Sequence, residues 1–326
     1  MTQLENLKSE PNDLDTKGFL GFPRWKDLDS LEADIAILGV PIATPYPALD
    51  AYAEGAPGAI RAGIERYALS AHHFDFDVGG LLLGDGGTCV VDCGDVPGDS
   101  EDAEGNRARI SGAIQAILKA GAVPIVIGGN DSVPIPVFQA FDGRGPLTIL
   151  QVDAHIDWRD EVGGERYGLS SPMRRSSEMP WIEHIVQVGA RAIGSARQSD
   201  YEDACAWGAH IVTAQQVHVH GIQPILDLVP NGANVLVTVD CDGLDPSIMP
   251  AVFGPAPGGL TYWQVVDLLQ GTATKAQIAC FNIVEFMPAR DPQGIAALTA
   301  ARLVCNAIAL LARARRAAIL PKVKQI

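Results

Sequence analysis

The chain has 326 residues, a formal net charge of −15 and a hydrophobic share of 47%. That charge argues against nucleic-acid and anionic-membrane partners and favours small cations, while the hydrophobic share is enough to bury a large core. The opening segment, MTQLENLKSEPNDLDTKGF, has no apolar h-region, so no secretory signal is expected, and no apolar run is read as reaching about 18 residues, so no membrane span is expected either.

Residues 1–30 read as an N-terminal arm suited to packing on a neighbouring molecule. Residues 31–326 read as one domain, because no Pro/Gly/Ser-rich linker or internal repeat interrupts them. Apolar runs predict strands at Asp34–Val40, Cys89–Cys93, Val123–Ile127, Leu147–Val152, Ile185–Val188, His210–Val212, Val235–Val239 and Ile278–Val284. Helical spacing of Ile110, Ile114, Ile117 and Leu118 predicts a helix over Asn106–Ala120, and further helices are expected at Trp263–Leu269 and Ile295–Ala312. Buried strands alternating with helices imply an α/β fold, a three-layer αβα sandwich around a central, mostly parallel eight-stranded sheet.

The six cysteines (Cys89, Cys93, Cys205, Cys241, Cys280 and Cys305) are expected to be reduced, buried core thiols of a cytoplasmic protein. Cys89 and Cys93 do not have C-x-x-C spacing. His72 and His73 lie near a strand and His218 and His220 beside a helix start; all four read as surface or capping groups.

In parallel α/β sheets, chemistry gathers beyond the C-terminal strand ends. Three strand ends here carry carboxylates: GGNDS at 128–132, DAHID at 153–157 and DCDGLDP at 240–246. In an extended segment Asp153, His155 and Asp157 would converge on one side, as would Asp240 and Asp242. Clustered carboxylates repel unless cations lie between them. One imidazole with several carboxylates suits divalent ions such as Mn²⁺, and also Ni²⁺ or Co²⁺, with enough ligands for two ions roughly 3.5 Å apart. A single D-x-D after a strand is more often a cap or turn; two such clusters on one sheet favour a metal centre.

At these residues the sequence resembles the ureohydrolase superfamily, the arginases, agmatinases and relatives that cleave guanidino compounds. PAPGGLT at 255–261, GAPGAIR at 55–61 and VEFMPARD at 284–291 extend the resemblance, which covers roughly 35–315 in order. It implies an arginase-like sandwich, a binuclear manganese or nickel centre, and a hydroxide between the ions that attacks the guanidinium carbon so that urea leaves. Carried over, it implies that Asp153 and Asp240 bridge both ions. Asp131 and Asp157 would complete one shell, and His155 with Asp242 the other. Asp157 would also accept a hydrogen bond from the hydroxide, and Glu285 would pair with the substrate guanidinium. Family members tend to form trimers or hexamers, so a homo- or hetero-oligomer is expected.

Two positions depart from the family pattern. Asp131 stands where a histidine ligand is usual, which makes that shell harder and more negative. Leu169 stands where a proton-shuttling histidine is common. Arg159, two residues past DAHID, reads either as a contact for a substrate carboxylate tail or as a surface salt bridge. The expected function is hydrolysis of agmatine, a guanidino acid, guanidine or a substituted biguanide. The alternatives are a catalytically weak or silent subunit of a hetero-oligomer, or a formimino amidohydrolase.

Overall fold

The computed structural model describes residues 18–319 apart from 47, 48, 50, 66, 69 and 85; for 316–319 it describes the backbone alone. In chain order the elements are β1 (Ile35–Gly39), α1 (Ala56–Glu65), β2 (Phe74–Asp75), β3 (Gly80–Leu81), β4 (Val90–Asp95), α2 (Ala103–Lys119), β5 (Val123–Ile127), α3 (Pro134–Gln139), β6 (Leu147–Val152) and α4 (Pro172–Ser177). There follow β7 (Ile182–Ala190), α5 (Gln198–Trp207), β8 (His210–Thr213), α6 (Ala214–His220), α7 (Gln223–Leu228), β9 (Asn234–Asp240), α8 (Tyr262–Lys275), β10 (Gln277–Val284) and α9 (Ile295–Ile319).

Eight strands form one sheet in the order β4-β1-β5-β10-β9-β6-β7-β8, and every pairing within it is parallel. β2 and β3 make a separate antiparallel hairpin. The sheet is the three-layer arrangement predicted from sequence, and the reason shows in β5. Ile125 and Ile127 join one apolar cluster with α1, α6, α7, α8 and α9, while Val126 joins a second with α2, α3, α4 and α5. β5 packs apolar clusters on both faces, which is why it reads as an unbroken apolar run.

Four sequence expectations need correction. First, Pro292–Arg315 is long and apolar enough to cross a membrane, with a mean hydropathy of 1.9. This overturns the reading that no such run exists. Within the fold 78% of its most apolar 18-residue stretch is buried, as expected of an Ala-rich helix packed against the sheet, α1 and α8. Second, all six cysteines are free, but Cys89 and Cys205 are exposed. Cys89 precedes the edge strand β4, and Cys205 lies on α5, which buries only Asp200 and Ala204. Third, His218 and His220 sit in the last turn of α6, at a helix end. Fourth, residues 18–30 of the predicted arm dock on this chain itself: Phe19 is fully buried, its N–H donates to Asp92 Oδ2 at 2.7 Å, and Arg24 pairs with Asp92 at 2.9 Å. Residues 1–17 lie outside the described residues.

Because the strands are all parallel, the C-terminal ends of β5, β10, β9 and β6 are adjacent on one edge at the centre of the sheet. This is the position at which open α/β sheets place their ligands.

Candidate metal centre

β5 ends in Gly128 and Gly129, with φ of 98° and 74°. A Cβ on Gly128 would stand 2.4 Å from the Pro57 side chain, so glycine is required both by the backbone conformation and by the approach of α1. The turn delivers Asp131, which is 3% exposed. Neither of its carboxylate oxygens has a hydrogen-bond partner.

Beyond β6 the chain does not stay extended, contrary to the sequence reading. Asp153 Oδ1 accepts the His155 N–H at 2.6 Å, an Asx turn, and Asp157 has φ of 53°. Beyond β9 the same device recurs: Asp240 Oδ1 accepts the Asp242 N–H at 2.7 Å and opens a 3₁₀ turn over Cys241–Gly243. Asp242 in turn accepts the Ala154 N–H at 3.1 Å, tying the two turns together. Convergence therefore comes from two linked Asx turns rather than from strand alternation.

The result is two overlapping ligand groups. Ligand atoms of Asp153, His155 and Asp242 lie within 4.8 Å of one another, as do those of Asp131, Asp153 and Asp240. Asp153 belongs to both. His155 Nδ1 lies 3.0 Å from Asp242 and 3.4 Å from Asp153. Burial would lower the His155 pKa, but hydrogen bonds to these two carboxylates outweigh it and push it up to about 12. Burial, then neighbouring carboxylates, hold Asp131, Asp153 and Asp240 well above the usual carboxylate range. Burial also raises Asp157. Four buried acids with raised proton affinity, one without any donor, form an environment that divalent cations would relieve, and the oxygen-rich donor set suits hard ions.

Glu285 leaves β10 with φ of 66°, a left-handed conformation held for a non-glycine residue. Its oxygens accept the Asp131 N–H at 2.9 Å and the Tyr52 hydroxyl at 2.5 Å. Burial is the main force that pushes it up to about 7. Tyr52, which the sequence reading missed, stacks on Phe253 with ring centroids 5.2 Å apart. Phe253 is 42% exposed, so an aromatic pair stands between solvent and Glu285.

Arg159 is half-buried and donates its N–H to the Ser170 carbonyl at 3.0 Å. Its side chain makes no ion pair among the described residues. Leu169 is half-buried and brings no titratable group to the 166–175 loop position. His72, His73 and His220 are exposed, as expected of surface groups. Arg61, from GAPGAIR, pairs with Asp92 at 2.8 Å and with Asp95 at 2.6 Å and serves the fold. Arg191, also missed, donates to the carbonyls of Asp242, Gly243, Leu244 and Ala256 and braces the Asp240–Asp242 turn.

Residues 33–310 match the model of the arginase family. The chain is 37% identical over 196 residues to N(1)-aminopropylagmatine ureohydrolase of Thermus thermophilus, an alignment spanning 59% of this chain and 64% of that protein. It is 30% identical to mitochondrial agmatinase of Gallus gallus, over 85% of this chain and 81% of that one. Among solved structures, proclavaminate amidino hydrolase from Streptomyces clavuligerus superimposes with a TM-score of 0.78 at 27% identity, covering 94% of this chain and 100% of that one. The chain belongs to the arginase family.

Proposed function

We propose that the protein is a binuclear metal hydrolase of a small guanidino compound, releasing urea and an amine. The observation that carries this reading is the buried Asp131 carboxylate, without a donor of its own, grouped with Asp153 and Asp240 and beside Glu285. Relatives whose names denote ureohydrolases and agmatinases support the substrate class.

In this reading Asp131, Asp153, Asp157, Asp240, His155 and Asp242 would hold two divalent ions, Mn²⁺ or Ni²⁺, with Asp153, which belongs to both ligand groups, shared between them. The bound ions supply the Lewis acidity that makes a water nucleophilic at neutral pH. Glu285, anionic when substrate enters, holds the guanidinium by charge-assisted hydrogen bonds and orients its carbon. Tyr52 and Phe253 narrow the mouth and limit water. Asp157 accepts a hydrogen bond from the attacking water. The water oxygen bonds to the guanidinium carbon, the bond from that carbon to the substituted nitrogen breaks, and both protons of the water end on that nitrogen, so that urea and an ammonium product leave. Leu169 cannot carry these protons, so solvent or another side chain must. Agmatine, a guanidino acid, guanidine and a substituted biguanide are the candidate substrates; Arg159, with no ion pair among the described residues, would meet an acidic tail.

Asp131 and Leu169 also motivate a second reading, a weak or silent subunit of a hetero-oligomer. The experiment that tests the proposal is product analysis over a panel of these compounds with Mn²⁺ and with Ni²⁺. Urea release from at least one is expected. Formamide from formimino substrates alone would replace the substrate class, and no product from metal-loaded protein would favour the silent subunit.

A further inference from the structure

A buried glutamine sits in each of two neighbouring inner strands. Gln151 lies in β6 and Gln187 in β7; they are direct partners in the parallel register, and both are at most 1% exposed. An amide buried in an apolar layer is costly unless its donors and acceptor are satisfied. Here they are, and the pattern runs in one direction.

Trp158 Nε1 donates to Gln187 Oε1 at 2.8 Å. Gln187 Nε2 donates to Gln151 Oε1 at 2.6 Å and to the Ile156 carbonyl at 2.7 Å. Gln151 Nε2 donates to Asp153 Oδ2 and to Asp157 Oδ2, both at 2.7 Å. The orientation of each amide is forced. An indole N–H can only donate, so Gln187 must turn its oxygen toward Trp158 and its nitrogen toward Gln151. Gln151 must then turn its oxygen toward Gln187 and its NH₂ toward the two carboxylates. A flipped Gln151 would aim a carbonyl at two anions. Trp158 is itself seated against Trp207, with ring centroids 6.1 Å apart.

We propose that Gln151 is a positioning residue for the metal centre: oriented by Gln187 and Trp158, it pins Asp153 and Asp157 in the geometry that receives the ions. The inference rests on the metal-centre reading given above. The relay adds no charge. It fixes two like-charged carboxylates side by side: Asp157 through Oδ2, and Asp153 through Oδ2 while its Oδ1 takes the His155 N–H, with further lone pairs left for cations. Outer partners of this kind typically change metal affinity by about 10- to 100-fold.

The test is Mn²⁺ affinity and stoichiometry, measured by competition with a fluorescent chelator on metal-stripped full-length protein, with circular dichroism and thermal melting of the metal-free form as controls for folding. Gln151→Leu is expected to weaken Mn²⁺ at least tenfold, within the range of about 10- to 100-fold for such partners. Gln187→Leu touches no carboxylate and is expected to do the same. The double variant should be no worse than Gln151→Leu alone, because both losses pass through one contact. Trp158→Phe keeps the packing but removes the N–H, and should weaken Mn²⁺ several-fold; it carries the test if Gln187→Leu does not fold. Wild-type affinity in a folded Gln187→Leu or Trp158→Phe, or additive losses in the double variant, would overturn the relay while leaving the metal centre intact. A wild-type chain that binds neither Mn²⁺ nor Ni²⁺ would overturn both.

Discussion

Asp131 puts a carboxylate where the resembled motif usually carries an imidazole, and it does so without changing the turn that presents it. Gly128 and Gly129 set the backbone, and the Asp131 N–H is engaged by Glu285, so the side chain points into the carboxylate cluster for reasons independent of its own identity. Asp131→Ala is therefore expected to lose one of two ions per chain, and Asp131→His to keep both, as read by metal analysis after dialysis; retention of both ions by Asp131→Ala would contradict its role as a ligand. The same cluster sets a pH dependence. Burial pushes Glu285 from 4.5 up to about 7 and holds Asp131, Asp153 and Asp240 well above 3.8. An acid whose folded pKa is raised favours the fold while protonated, and that contribution is lost as pH rises from its unfolded value through its folded one. His155, raised from 6.5 to about 12, acts in the same direction above neutrality. The metal-free protein should thus melt at progressively lower temperature between about pH 5 and pH 8, and saturating Mn²⁺ should flatten that slope. A melting temperature that rises over this range without metal would show that the carboxylates are not strained.

At the scale of elements, legibility followed burial. β5 and β6 run over Val123–Ile127 and Leu147–Val152, as predicted from their apolar runs, because a doubly covered parallel strand is predominantly apolar. α6 and α7 each bury only two residues, and no periodicity announced them. The ligand carboxylates were legible because each lies at, or a few residues beyond, the C-terminal end of a strand. Tyr52 was not, since it meets Glu285 across 233 positions, and neither was the pairing of Gln151 with Gln187, because register between distant strands is a tertiary property. The Asx turns that gather the ligands were also misread, as extended chain, because an aspartate followed two residues later by a polar residue fits both conformations. Where α1 crosses α9, Gly63 allows backbone contact: a Cβ there would lie 2.7 Å from the Ala297 carbonyl carbon and oxygen. Gly63→Val is expected to cost about 1–3 kcal/mol, with the cost of overpacking dominating, as measured by urea denaturation with the metal centre unchanged. An unaffected midpoint would mean that the two helices separate easily.

At the scale of the whole molecule, the acidic chain and its central carboxylate cluster act in the same sense. A net charge of −15 raises the local concentration of divalent ions and cationic substrates, and the parallel sheet brings four adjacent strand ends to one edge, where those charges meet. The Ala-rich α9 is long and apolar enough to cross a membrane, yet it is buried against the sheet, α1 and α8. The measurement that tests the central claim most directly is metal content per chain of purified protein, taken together with urea release from agmatine, guanidino acids, guanidine and biguanides under Mn²⁺ and Ni²⁺. Two ions per chain with urea from at least one compound is the expected result; fewer than one ion per chain and no urea from any of them would contradict it.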